Sequence, residues 1–313
     1  MAAADFDLKA ATVGATVDFL IPEYWRAGTA EDQKLLRSLS TPGLLHAVAG
    51  DYPDLWARYN PKEMSNDVVI DMGRHIIETH SPNLLFLHVW DSDTQAHRHG
   101  PWSDETKSAI EASDAQVASL IESLKKAGIW ERSAVVVVSD HGFHAIEREI
   151  RPLAALVELG LRDAGAPRVR ISANGGMAYL YSNAGDADAE RLATELFQGR
   201  LAAPDTPFLR VMDREAIASA GGDPEAFLAL VARPGHLFGD SQEGSLVQAA
   251  NRKGHHGFAP EDPAMQASFL VYGPAIDKAE LPAGHMTQVA PTLAKLLGLP
   301  WQGSTSALPV KTR

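Results

Sequence analysis

Apolar residues recur at helical spacing in "NDVVIDMGRHIIETH". Val69, Met72, Ile76 and Ile77 follow a polar start at Asn66, and Pro82 lies just past the end. "LLFLHVW", 84–90, is a short unbroken apolar run, the pattern of a strand covered on both faces. A polar loop, "DSDTQAHRHGP", follows. "SDETKSAIEASDAQVASLIESLKKAG" then carries the clearest helical signal in the chain. Ser103 is placed to cap it, Asp104 and Glu105 suit its first turn, Lys125 and Lys126 its last, and Gly128 the position beyond it. Ile110, Val117, Leu120, Ile121 and Leu124 form its expected buried stripe. "SAVVVVSD" reads as the next strand.

Strand, helix, strand is a βαβ unit with a right-handed crossover, so the two strands are expected to be parallel. Their C-terminal ends then share one sheet edge, where open α/β sheets bind ligands. The loops 91–101 and 140–144 both leave from that edge.

Residues 1–64 look irregular apart from a helical patch near "EDQKLLRSL". From 145 to 255 the texture changes to shorter elements, with a strand in "GMAYLYS" and a helix in "DADAERLATELFQG". Afterwards "ASFLVYG" reads as a strand. "TQVAPTLAKLLG" reads as a closing helix, capped by Thr287, with Pro291 in its first turn and Gly298 past its end. The expected class is therefore α/β: a mainly parallel central sheet flanked by helices, made of residues 1–144 and 256–313. A smaller α+β cap, 145–255, is inserted into it.

Composition narrows the partners. With 313 residues, 45% hydrophobic and 22% charged, the chain has the make-up of a soluble globular protein. A net charge of −12 without a long basic run argues against nucleic acid duplex or anionic membrane as a partner. No apolar run approaches the ~18 residues that span a bilayer. The N-terminus lacks a signal-peptide pattern, which favours a cytoplasmic location for the chain as it stands. There is no cysteine, so any metal must be held by His, Asp and Glu.

Such residues stand at the predicted strand ends. Asp93 and His97 are four apart; Asp140 and His141 are adjacent; His256 lies in "GHHGF". Each alone is weak, because most of twelve histidines are surface or satisfied core groups. Together they place carboxylates and imidazoles at one sheet edge, with Gly100, Gly142 and Gly257 nearby to let backbone approach a ligand. Oxygen and nitrogen donors without sulfur suit zinc or manganese.

"DTQAHRHGP", "VVVVSDHGF" and "GHHGF", in that order, resemble the alkaline phosphatase superfamily, and within it the type I phosphodiesterase / nucleotide pyrophosphatase branch. "FLVYGPAI" and "VAPTLAKLLGLP" are similar to that family's closing strand and helix, so the resemblance runs over roughly residues 60–300. It implies two divalent ions, zinc or alternatively manganese, about 4 Å apart. It puts Asp93, His97 and His256 on one ion and Asp140 and His141 on the other. His255 competes with His256, and Asp91 with Asp93. His99, His144 and His285 match no ligand position. The implied activity is hydrolysis of a small phosphorylated substrate, such as a nucleotide or phosphodiester, through a Ser or Thr nucleophile.

One departure matters. Family members carry a further metal Asp on the first strand and the nucleophile soon after it, and residues 1–64 show neither pattern. Thr12 and Thr16 are hydroxyls in the right region without other support. The expectation is an N-terminally incomplete chain with one complete metal site, a weak second one, and slow or absent hydrolysis. Two alternatives follow. One is another hydrolase of the superfamily, acting on phosphonate, phosphomonoester or sulfate ester; the other is a non-catalytic metal- or phosphate-binding fragment.

Overall fold

The computed structural model describes residues 2–4, 17–22, 28–58, 66–162 and 167–313. In chain order its strands are β1 (Ala2–Ala4), β2 (Phe19–Ile21), β3 (Leu85–Leu87), β4 (Val135–Val138), β5 (His144–Ile150), β6 (Val169–Asn174), β7 (Met177–Ser182), β8 (Phe208–Asp213), β9 (Leu228–Ala232), β10 (Gly235–Phe238), β11 (Val247–Ala249), β12 (Gly254–His255) and β13 (Phe269–Tyr272). The chain forms two compact units. One comprises 1–92, 108–138 and 269–313; the other comprises 93–107 and 139–268.

In the first unit β1 lies between β2 and β3, parallel to both. The described residues of 1–64 are thus more regular than their sequence suggests. Among them are β1, β2 and the helices Ala30–Leu39, Leu44–Asp51 and Leu55–Arg58. The helix at Ala30 starts on a capping box: Asp32 N–H donates to Thr29 Oγ1 (3.1 Å) and Thr29 N–H donates to Asp32 Oδ2 (3.3 Å). Three alanines carry little strand propensity, so it is pairing on both sides that holds β1 extended. Asp5, next in sequence, and Thr12 and Thr16 lie outside the described residues.

The helix Asn66–His80 buries Val69, Met72, Ile76 and Ile77 as its spacing requires. Val69, Met72 and Ile76 join Leu36, Leu45, Val48 and Leu55 in one apolar cluster. The long helix Asp104–Lys126 has its expected ends. Ser103 Oγ accepts from Thr106 N–H (3.1 Å), and Gly128, at φ 69°, closes it. Its covered face differs from the expected stripe. Ile110 is 55% exposed, whereas Ala109 and Ser123 are buried. Ser123 earns its burial by hydrogen bonding: its hydroxyl donates to Glu78 Oε1 (2.7 Å) and accepts from Arg74 Nε (3.3 Å).

The two strands of the expected βαβ unit do not pair with each other. β3 pairs with β1, while β4 runs antiparallel to β13, from Phe269 opposite Val138 to Tyr272 opposite Val135. In β4, Val137 and Val138 are 40% and 48% exposed. A run of identical residues has no period, so it cannot report which face is covered. At the closing helix, Val289–Leu296, Gln288 and not Thr287 is the cap residue; Thr287 sits in the preceding 3-10 turn.

The second unit is built on an antiparallel sheet in the order β6-β7-β9-β8. The helix Ala187–Leu201 is capped by Asp186, whose side chain accepts from Ala189 N–H (3.1 Å). Its Phe197 meets Phe208 edge to face in a core that also holds Leu180 and Leu230. β5 is the second organiser of this unit. It pairs with β10 in parallel and with β11 and β12 antiparallel.

Candidate metal centre

The segment "DSDTQAHRH", expected as a loop, is a helix, Asp91–His99. Only Ala96 in it is buried, so the apolar periodicity that would have shown a helix is absent. Helical geometry explains the four-residue spacing. Asp93 and His97 stand one turn apart on one face, with His97 Nε2 3.6 Å from Asp93 Oδ2. Asp91 is otherwise engaged: its Oδ2 accepts from Asn66 N–H (3.1 Å), and burial raises its pKa.

The other histidines reach the same place through β12. The register His255 opposite His144 lays Gly254–His256 alongside the segment that follows β4. Gly254 leaves no room for a side chain, since a Cβ there would come within 2.3 Å of Ala96 O. His97 Nδ1 lies 3.0 Å from Gly254 O, and Lys253 N–H donates to His97 O (3.1 Å). On the other side Ser139 and Ser268 exchange hydrogen bonds, Ser139 N–H to Ser268 O (3.1 Å) and Ser268 N–H to Ser139 Oγ (2.8 Å). They fix the stretch from which Asp140 and His141 project.

Asp93 is the centre of this arrangement. Its Oδ1 lies 3.7 Å from His256 Nε2 and 4.0 Å from His141 Nε2, while its Oδ2 faces His97. Asp140 Oδ2 is 3.4 Å from His141 Nε2. The rings of His141 and His256 stack at 3.7 Å with 14° between planes. All five residues singled out in the sequence are therefore in one neighbourhood of the second unit. The donor atoms also form two close triads, Asp93–His141–His256 and His97–His255–His256. Within each, one donor atom per residue lies within 4.8 Å of the others. His255, a mere competitor of His256 by sequence, joins the cluster beside it.

The electrostatics favour neutral imidazoles. Burial, and then the neighbouring His141, pushes the His256 pKa down to about 3. Burial and His97 push that of His255 down to about 4. Burial lowers His97 too, against the opposing pull of Asp93. A neutral ring with its Nδ1–H donated to a backbone carbonyl keeps a lone pair on Nε2, the usual form of a histidine metal ligand. His97 has Gly254 O for this purpose, and His141 has Gly142 O at 3.1 Å. Nitrogen and carboxylate donors this close together fit a divalent transition metal.

Sequence reasoning misses the turn that supports the histidines. Gly175 and Gly176 join β6 to β7 and press on the His256 backbone, and Gly176 N–H donates to His256 O (3.2 Å). A Cβ on Gly175 would lie 1.9 Å from His256 O, and one on Gly176 2.2 Å from the Phe258 ring. Gly257 fits against Asn174 O in return, at 2.3 Å from its absent Cβ. The signal was a Gly-Gly pair between two alternating strands, but nothing in sequence says that such a turn meets residue 256. His144, near a motif but outside the cluster, is bound through Nε2 to Asp262 Oδ2 (2.8 Å).

Residues 7–259 match the family model for type I phosphodiesterase / nucleotide pyrophosphatase. Venom phosphodiesterase 2 of Crotalus adamanteus is 25% identical over 135 residues, covering 41% of this chain and 17% of the venom protein. Human ectonucleotide pyrophosphatase/phosphodiesterase family member 7 is 24% identical over 233 residues, 69% of this chain and 46% of the human one. The chain thus spans less than half the length of these relatives. The structure of murine ectonucleotide pyrophosphatase / phosphodiesterase 5 is similar in fold, with a TM-score of 0.60 and 23% identity over 78% of this chain and 62% of that one. On the extent of the family match, this chain belongs to the type I phosphodiesterase / nucleotide pyrophosphatase family.

Proposed function

We propose that the cluster is the metal-binding part of a phosphoester hydrolase centre of the phosphodiesterase / nucleotide pyrophosphatase type. The observation that carries this reading is the convergence of three imidazole Nε2 atoms on the Asp93 carboxylate. In this reading Asp93, His97 and His256 hold one divalent ion and Asp140 and His141 a second, with zinc the preferred metal. When bound, such ions supply positive charge to the non-bridging phosphoryl oxygens.

The chain's own residues set the conditions for that chemistry. Asp93 and Asp140 would offset only part of the charge that two divalent cations bring, so an anionic substrate would meet a site less repulsive than the net charge of −12 implies. The carbonyl-anchored rings of His97 and His141 fix donor directions before anything binds, so little reorganisation is needed. The substrate class, a nucleotide or related phosphodiester, is taken from the activities for which the relatives are named. The nucleophile is the element that the sequence does not supply in recognisable form, so turnover by this chain is expected to be slow.

That gap favours a second reading, a module that binds metal or phosphate without turning substrate over. One assay separates the two. A nitrophenyl phosphodiester is offered with added zinc or manganese to the wild-type chain and to Asp93→Ala. Metal-dependent turnover lost in Asp93→Ala supports the hydrolase. Metal binding with no turnover in either protein supports the binding module.

A further inference from the structure

His255 is left over when the family pattern has been assigned, yet its ring stands inside the cluster. Its centroid lies 4.6 Å from that of His97 and 5.0 Å from that of His256, and His97 and His256 are also 5.0 Å apart. One donor nitrogen from each of the three falls within 4.8 Å of the others. We propose that His255 is itself a metal ligand, forming with His97 and His256 a three-imidazole site that takes zinc-type cations in preference to manganese or magnesium.

Three features support this. First, the ring is held. The β12 ladder fixes the backbone of His255 opposite His144, and the Gly175 backbone packs against the ring, where a Cβ would meet Nδ1 at 2.5 Å. Second, Nδ1 lies against two backbone groups of His256, accepting from its N–H (3.0 Å) in one tautomer and donating to its carbonyl oxygen (3.1 Å) in the other. The proposal requires the second tautomer, in which Nε2 is the free donor, as for His97 with Gly254 O. Third, the ring is accessible: His255 lines a cavity of about 350 Å³ together with Asn174, Asp240, Asn251 and Arg252.

The selectivity follows from donor type. Imidazole nitrogens suit zinc and its neighbours late in the transition series, whereas manganese and magnesium favour carboxylate and water oxygens. Adding a third imidazole to a site with one carboxylate shifts preference further in that direction.

The inference rests on the reading that metal occupies the cluster, and it does not require hydrolysis. It is tested on the full chain by zinc titration against a competing chelator, and by ring-nitrogen NMR of the histidines during the same titration. The first equivalent of zinc should shift the ring nitrogens of His97, His255 and His256 together. His255→Ala and His255→Gln should each lower zinc affinity about tenfold or more, with little change for manganese. The NMR arm needs no variant, so a variant that fails to fold leaves the test standing. Zinc binding that shifts His97 and His256 but leaves His255 unmoved would overturn the role of His255 alone. Absence of zinc binding by the wild-type chain would overturn the metal reading as well.

Discussion

Asp93 faces His97 with one carboxylate oxygen and His256 with the other, Oδ2 at 3.6 Å from His97 Nε2 and Oδ1 at 3.7 Å from His256 Nε2. One short side chain thereby joins a helix to His256, 163 residues later in the chain, and its position is set by the helical turn it shares with His97. Removing it should cost metal far more than fold. Asp93→Ala is expected to lower zinc affinity at least about tenfold. Its metal-free stability should change by no more than about 1 kcal/mol, because the side chain is short and 37% exposed. Zinc titration and urea denaturation on the same preparation check both halves.

Gly175→Ala addresses the support beneath the histidines. Its φ of 63° disfavours any Cβ, and the new methyl would overlap His256 O. Forcing it in should destabilise the protein by about 1–3 kcal/mol and weaken zinc binding as His255 and His256 are displaced. A variant with a wild-type urea midpoint and wild-type zinc affinity would show that the turn does not position them.

His144→Ala should do the reverse of Asp93→Ala. The His144–Asp262 hydrogen bond is 2.8 Å long, and both side chains are only 17% exposed. The His144 ring also meets Phe258 edge to face. Losing these contacts should cost about 1–3 kcal/mol in urea denaturation and leave zinc affinity unchanged.

Acid should destabilise the metal-free protein through the histidines. His256 and His255 have pKa values of about 3 and about 4 when folded, against roughly 6.5 when unfolded. Between these limits the unfolded chain holds more protons, so stability rises with pH there. Stability is fully present above the unfolded value, falls as pH drops from about 6.5 towards 4, and receives no further loss from these two groups below about 3. A urea midpoint followed from pH 8 to pH 4 should decline over that interval, and less steeply in His256→Gln. A midpoint that stays flat would contradict the buried, neutral state of these rings.

Sequence and structure agree best where local chemistry determines the outcome. Asn66–His80 is legible from its apolar spacing, and Ser103 and Gly128 mark the ends of the long helix correctly. The five residues Asp93, His97, Asp140, His141 and His256 were found because three short motifs occur in order, and the fold brings all five together. What could not be read depends on distant partners. The helix Asp91–His99 has no apolar stripe, β1 exists through its two neighbours, and the valines of β4 are periodic with nothing. The Gly175–Gly176 turn and the entry of His255 into the cluster follow from the β6–β7 hairpin and the β12–β5 register, and no single segment encodes either contact.

The central claim is that this cluster binds divalent metal, with one strong site and one weaker. Zinc content measured per chain after gel filtration, with and without excess zinc in the buffer, tests it most directly. About one equivalent should be retained by the wild-type chain, a second should be seen only in excess zinc, and the retained equivalent should be lost in Asp93→Ala. Two firmly held equivalents would contradict the inequality of the sites, and no retained zinc, or equal retention by Asp93→Ala, would contradict the metal centre itself.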